Sequence, residues 1–541
     1  MKPTRAVQLT HRISLGLVCL AIAAYGVLTA MITPVSARLH YDPSLQYMLS
    51  SLAWFRGATY DYIDHPGTPV EVLGTVLLAL SYPLAGFSSE GFIAYHLTHV
   101  QQFLSLAQTL LVVASVTACV FVAGRSICIA HWSQALVGTA LAALFFALLP
   151  DALPSLALWS HESFCFPAGT LLSLLVLLAV RRAGRPSRTT LVGLGFASGV
   201  LTSVQLYFAA WVVGAAVALS VATRLSGAGW RQSAVRGAVV VVMAGLGFFV
   251  ATLPILTRYH QLAGWIWLLI SHQGTYGAGP LGAPSADVLS ANLSNLVQEA
   301  PALFYASGAA VLVLALRLLL VRNRQAGVPA AGLGFVAQLL VLLLLVAKHP
   351  GVRYLLPIAA TLPVIFATAL DGLDPRRAVT RWALTALSLG VLAGFGAQLV
   401  SAATSHLAVA DQLRRDDQAT DQMLAQLAAT RSIPRTSLRT LWTYGTTAPC
   451  YALWFGDDSA DRVFQADIEQ MCPRDANLNV WNAKVLSPAG DVNFGEYREW
   501  DVVVLPEADA RLRPALRTDG PAFPSSIGSL GGGQLLFVAR N

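Results

Sequence analysis

Charge is scarce in this chain. Only 12% of its 541 residues are Asp, Glu, Lys or Arg, 55% are hydrophobic, and the mean hydropathy is +0.60. A water-soluble protein carries about 25% charged residues, so that class is excluded. What fits is a polytopic helical membrane protein with room for one extra soluble domain. Lysine stands only at positions 2, 348 and 484, so the formal net charge of +7 is carried by arginine. The arginines fall between apolar runs, where they set membrane topology, and no nucleic-acid partner is expected. The six cysteines show no metal-ligand spacing. Ionisable residues are almost missing from the centres of the apolar runs. Each one there would cost about 2.5–3.5 kcal/mol on insertion scales, and ion-coupled transporters commonly place such groups at the midplane. Their absence argues against a transporter.

Eleven apolar runs have the length of a membrane span, at 13–32, 100–124, 133–150, 164–181, 189–204, 207–223, 237–257, 302–321, 328–347, 353–371 and 382–403. The first is too long for a signal-peptide core and reads as a retained anchor. Basic segments belong on the cytoplasmic side: the N-terminus with Lys2, Arg5 and Arg12, then 181–188, 224–236, 317–324 and 374–381. A twelfth apolar stretch, 69–87, would invert this pattern if it crossed, so it is expected to lie along or dip into the outer surface. Thr68-Pro69-Val70-Glu71 predicts a capping box with Pro at N1. A second helix is predicted over 43–56, with Leu45, Met48, Leu49 and Leu52 on one face and an interfacial position. The first outer loop then spans 33–99. Eleven crossings put the C-terminus outside, so 404–541 is expected to be a small extracytoplasmic α/β domain. It would be entered by an amphipathic helix near 411–429, with strands at 439–444, 500–506 and 534–539. It lacks a phosphate-binding glycine fingerprint. Cys450 and Cys472 share it and can pair if it faces an oxidising space. The Ala-, Gly-, Leu- and Arg-rich composition points to a bacterial gene, hence an inner-membrane protein with a cytoplasmic N-terminus and a periplasmic domain.

This topology gathers polar residues from distant positions at the outer ends of the spans. They are Asp42; Asp61, Asp64 and His65 in "YDYIDHPGTP"; His161 and Glu162 in "WSHES"; Arg258 and His260; and Lys348, His349 and Arg353 in "KHPGVRYLLP". Acids, imidazoles and cations on one membrane face suit an enzyme acting on a lipid-linked substrate. Each residue also has a structural reading. Asp42 before Pro43 is an N-cap, Asp64 shapes a turn, Glu71 is the capping-box acid, and Asp61 is solvated. Glu162 favours a helix N-terminus, and Lys348, His349 and Arg353 snorkel to the interface. The cations, however, stand on the side where the positive-inside rule disfavours them.

With these residues in place, the chain resembles the GT-C superfamily of integral-membrane glycosyltransferases, the branch with protein O-mannosyltransferases and the lipid A aminoarabinose transferase. The likeness covers about residues 10–403. It rests on the acid in "HYDPSLQYMLSSLAWFRG", the "DHPGTP" segment, "WSHES", and Arg353 to Pro357 opening a late span. It implies inverting transfer of a sugar from a polyprenyl-phosphate donor to a glycan, lipid or protein acceptor outside the cytoplasm. Asp42 would be the general base, and Arg353 and Lys348, with His349 and Arg258, would hold the donor phosphate. Asp64, His65, His161 and Glu162 would line the acceptor side. The commonest family motif has two adjacent acids where Asp42 is followed by Pro43, and Glu162 precedes Pro167 where the family often has the acid after a proline. Asp42, His161 and Glu162 are the oxygen and nitrogen donors a divalent metal would take, although their spacing demands none. The rival readings are a lipid-linked glycan flippase, a non-enzymatic scaffold acting through 404–541, and a ligase moving larger glycans from a pyrophosphate lipid.

Overall fold

The computed structural model describes residues 4–32, 44–63, 66–85, 89–126, 131–149, 152–156, 158–181, 186–271, 285–320, 327–346, 350–370, 377–443, 449–473, 475–479, 484–487, 490–493, 501–506, 529–530 and 534–538. The chain is a polytopic helical bundle. Its helices are α1 (Arg5–Ile32), α2 (Ser44–Ala53), α3 (Thr68–Leu80), α4 (Ser89–Thr98), α5 (Val100–Arg125), α6 (Trp132–Leu148) and α7 (His161–Arg181). There follow α8 (Arg188–Val204), α9 (Ala209–Leu225), α10 (Trp230–Ala251), α11 (Tyr259–Ser271), α12 (Ala286–Glu299), α13 (Pro301–Leu320), α14 (Gly327–Val346), α15 (Leu356–Leu370) and α16 (Ala378–Thr430). Among the described residues, eight helices are long and apolar enough to cross a membrane, or nine if α12 and α13, bent by 99°, form one broken span. Among the described residues, each of the eleven runs read from the sequence overlaps a helix. Of the three outside the eight, α6 and α8 have 17 residues each and α13 belongs to the bent pair.

Lipid offers helices no hydrophobic reason to associate, so close backbone approach and buried polar contacts hold the bundle. A Cβ on Gly199 of α8 would collide with the Ala244 carbonyl of α10, so only glycine permits that approach. Gln108 Nε2 donates to Gly26 O at 3.0 Å, and Trp211 Nε1 to Ser173 Oγ at 2.8 Å. At one end of the bundle, arginines close the carbonyls that helix C-termini leave open. Arg181 donates to Ser126 O at 2.7 Å, and Arg317 donates to the carbonyls of Thr368 and Ala369.

The opposite end carries α2, α3 and the C-terminal unit. α3 has 13 residues, roughly 20 Å at 1.5 Å per residue, and so falls short of the ~30 Å core. The expected capping box does not form. The N-cap is Gly67 at φ 60°, the Thr68 hydroxyl donates to Pro66 O, and Glu71 turns inward instead, accepting from Ser50 Oγ at 2.6 Å. α2 is not an interfacial helix either, for all ten of its residues are buried. α3 covers one side, through Ser51 Oγ donating to Glu71 O at 2.9 Å, and the C-terminal unit covers another.

That unit holds β1 (Thr440–Thr443), α17 (Pro449–Asp458), α18 (Gln465–Met471), β2 (Asp475–Asn479), β3 (Lys484–Ser487), β4 (Gly490–Asn493), β5 (Val502–Pro506), β6 (Ser529–Leu530) and β7 (Gln534–Val538). The sheet order is β4-β3-β2-β1-β5-β7-β6; β1 runs parallel to β2 and β5, and the other pairs are antiparallel. The span expected at 382–403 and the amphipathic helix expected near 411–429 are one element, the 53-residue α16. Its far end places Leu424 and Ala428 against Leu438, just before β1, and against Trp442, Val502 and Val504 of the sheet. Cys450 and Cys472 are joined by a disulfide, S–S 2.03 Å, and Gly456 of α17 lies against Leu45 and Leu49 of α2.

Candidate active site

The site is built where α2, the start of α7 and the turn before α15 meet. Ser44 and Tyr47 stand three residues apart on α2 and so share a helix face. Both address the segment that enters α7: Ser44 Oγ accepts from Trp159 N at 3.1 Å, and Tyr47 Oη lies 3.1 Å from His161 Nδ1. Tyr47 is fully buried, and its ring meets Tyr62 edge-on at 4.8 Å. Gly67 completes the seat. Any Cβ there would strike Tyr47 Cε1 and Oη, and φ 60° already favours glycine.

His161 and Glu162 occupy the first turn of α7, where backbone N–H groups and the helix dipole favour an anion. His161 Nε2 stands 3.0 Å from Glu162 Oε1, and both side chains are buried. Arg353, from the 3-10 turn Val352–Leu355, brings Nη1 to 3.8 Å from the same Oε1 while its side chain stays 54% exposed. It lies over the Tyr354 ring, 5.1 Å from the centroid, and donates to Tyr354 Oη at 3.2 Å. Tyr354 in turn stacks on Tyr207 at 4.4 Å. Three residues read from the sequence thus converge: an acid and an imidazole inside, and a cation reaching out.

Arg258 stands apart from this cluster. Its guanidinium is held by Asp61 at 2.7 Å and by Asp461 of the C-terminal unit at 2.9 Å. Asp61 is therefore an ion-pair partner rather than a solvated acid. Burial raises its pKa; Arg258 opposes that rise, and Asp461, bound to the same arginine, adds to it. Arg56 ties the same two regions, with 2.6 Å contacts to Asp467 Oδ2 and to Val463 O. Glu71 lies beneath α2, where burial pushes its carboxyl well above the usual range against the bond from Ser50.

Asp42, Asp64, His65, Lys348 and His349 lie outside the described residues. His161 and Glu162 offer adjacent nitrogen and oxygen donors to a metal; the third member of that set is Asp42. Cys450, Cys472 and Asp475 also cluster, but the two sulfurs are bonded to each other. The sequence reading missed Tyr47. Its signal was the i, i+3 pairing with Ser44 on the side of α2 away from the counted leucines.

No family model matches the chain, and no curated protein does. A solved structure is similar in shape. It is the crystal structure of ArnT from Cupriavidus metallidurans bound to undecaprenyl phosphate, with TM-score 0.49 and 13% sequence identity, over 96% of this chain and 98% of that one. Function is therefore read from the residues of the site itself.

Proposed function

We propose that the protein is an inverting glycosyltransferase that moves a sugar from a polyprenyl-phosphate donor to an acceptor outside the cytoplasm. The observation that carries this reading is the half-exposed Arg353, held beside buried Glu162 and His161 at the bundle end opposite the carbonyl-closing arginines. The basic segments of the sequence favour a cytoplasmic place for the end that carries the carbonyl-closing arginines; in this reading the site faces the periplasm, as does the domain at 404–541. An arginine with an exposed fork is the side chain suited to a lipid phosphate.

In this reading the acceptor hydroxyl attacks the anomeric carbon, the carbon–oxygen bond to phosphate breaks, and the polyprenyl phosphate leaves with the electron pair. Arg353 stabilises the charge that develops on the phosphate, an electrostatic role that grows towards the transition state. The hydroxyl proton goes to a general base, assigned to Asp42. Support for that assignment is its sequence position, two residues before Ser44, whose hydroxyl is anchored to Trp159 beside His161. Lys348 and His349, on the segment that leads to Arg353, belong to the phosphate side. Asp64 and His65, next to Gly67, belong to the acceptor side.

Two variants test the reading. Asp42→Asn keeps the capping capacity of the side chain and removes the base, so transfer by purified protein should fall by about 10²–10⁴-fold with folding intact. Arg353→Ala should weaken undecaprenyl phosphate binding by about tenfold or more, the loss of a charge-assisted phosphate contact. Full activity in Asp42→Asn removes the base assignment. Glycolipid mass spectrometry of a deletion strain that shows lipid accumulating on one side, with every glycosidic bond still formed, would replace the reading with a flippase.

A further inference from the structure

One carboxylate oxygen, Glu162 Oε1, is shared by two groups. His161 Nε2 is at 3.0 Å and Arg353 Nη1 at 3.8 Å. The two neighbours differ in setting. The imidazole is buried, with 4% of its side chain exposed, whereas the guanidinium is 54% exposed. Where Glu162 points thus decides how much of the Arg353 charge is already neutralised before an anion arrives. Full engagement by the carboxylate would make Glu162 a competitor of phosphate for the same fork.

The position of His161 is fixed from its other side. Tyr47 Oη meets Nδ1 at 3.1 Å. A phenol donating to Nδ1 leaves the ring proton on Nε2, the nitrogen that faces Glu162. Tyr47 itself is confined by the Tyr62 ring and by the bare Cα of Gly67. The constraint therefore runs from Gly67 to Tyr47, to His161, to Glu162, and ends at Arg353.

We propose that Tyr47 is a positioning residue: through His161 it keeps Glu162 at 3.8 Å from Arg353, short of full engagement, and so sets the affinity of Arg353 for a lipid phosphate. This rests on the reading that Arg353 binds phosphate. A hydroxyl that served only packing would stabilise the fold without acting through Glu162, and the two roles separate by epistasis.

The full-length protein in nanodiscs is titrated with undecaprenyl phosphate, and Kd is compared among wild type, Tyr47→Phe, Glu162→Gln, the double variant and Arg353→Ala. Tyr47→Phe keeps the ring and should weaken binding about tenfold, the effect of one lost hydrogen bond in a charged chain. Glu162→Gln removes the competing charge and should bind at least as tightly as wild type. The double variant should match Glu162→Gln, because an uncharged side chain no longer needs to be held away. If Tyr47→Phe fails to fold, as thermal unfolding will show, His161→Ala replaces it in the same scheme. Wild-type affinity in Tyr47→Phe, or a double variant as weak as Tyr47→Phe, overturns the positioning role while leaving the phosphate assignment standing. No binding by wild type, or equal binding by Arg353→Ala, overturns the phosphate assignment and the Tyr47 role with it.

Discussion

Gly67 shows how little side chain the site tolerates at its periphery. Its φ of 60° and its contact with Tyr47 act together, so Gly67→Ala both strains the backbone and displaces the ring. The strain alone is worth about 1–2 kcal/mol. The variant should unfold at a lower temperature in detergent, and its lipid phosphate affinity should fall with that of Tyr47→Phe; an unchanged melting temperature would refute the close fit. At this scale the sequence was informative where polar residues were rare. His161, Glu162 and Arg353 were visible because each interrupts an apolar context. Arg258 was visible as an outer cation, but not its partner Asp461, 203 residues away in the chain, since no local pattern records such a pairing. Tyr47 was hidden because face counting on α2 followed the leucines, and a tyrosine on the other face reads as ordinary amphipathicity.

Among the elements, the spans were legible because a lipid-facing helix must be apolar along its whole length, and the loop helices were not, because their environment is set by distant chain. α2 carries the leucine spacing of an interfacial helix, yet α17 covers it, and only the fold supplies α17. The contact has a titratable neighbour. Asp457, at the end of α17, accepts from Phe464 N at 3.0 Å, and burial pushes its carboxyl up to about 7 from the ordinary 3.8. The folded pKa exceeds the unfolded one, so this group contributes stability that is fully present below about pH 4 and is lost as pH rises through about 7. Asp475, beside Trp442, is pushed up to about 6 by burial and acts with the same sign. The C-terminal unit should therefore melt at a lower temperature at pH 8 than at pH 5, and Asp457→Asn should flatten that dependence. A transition equally stable at both pH values would show that Asp457 is not buried as described.

For the molecule as a whole, the two regions are joined by more than sequence continuity. Arg258 bridges Asp61 to Asp461, Arg56 reaches Asp467, and α17 rests on α2, so the C-terminal unit packs against the helix that carries Tyr47. The connection itself is α16, unbroken for 53 residues, roughly 80 Å at 1.5 Å per residue. An α-helix transmits phase as well as distance, with 3.6 residues to each turn. One residue inserted between the span and the sheet, near 405, would turn the C-terminal unit by about 100° about the helix axis and lift it about 1.5 Å. Arg258 and Asp461 would then part, and undecaprenyl phosphate affinity should drop even though no site residue has changed. An insertion of seven residues restores the phase to within about 20° but lifts the unit by about 10 Å, and should fail as well. The distance between bundle and sheet is thus a count of residues, fixed by a rigid shaft, and the chain can drift in sequence along that shaft far more freely than it can change its length.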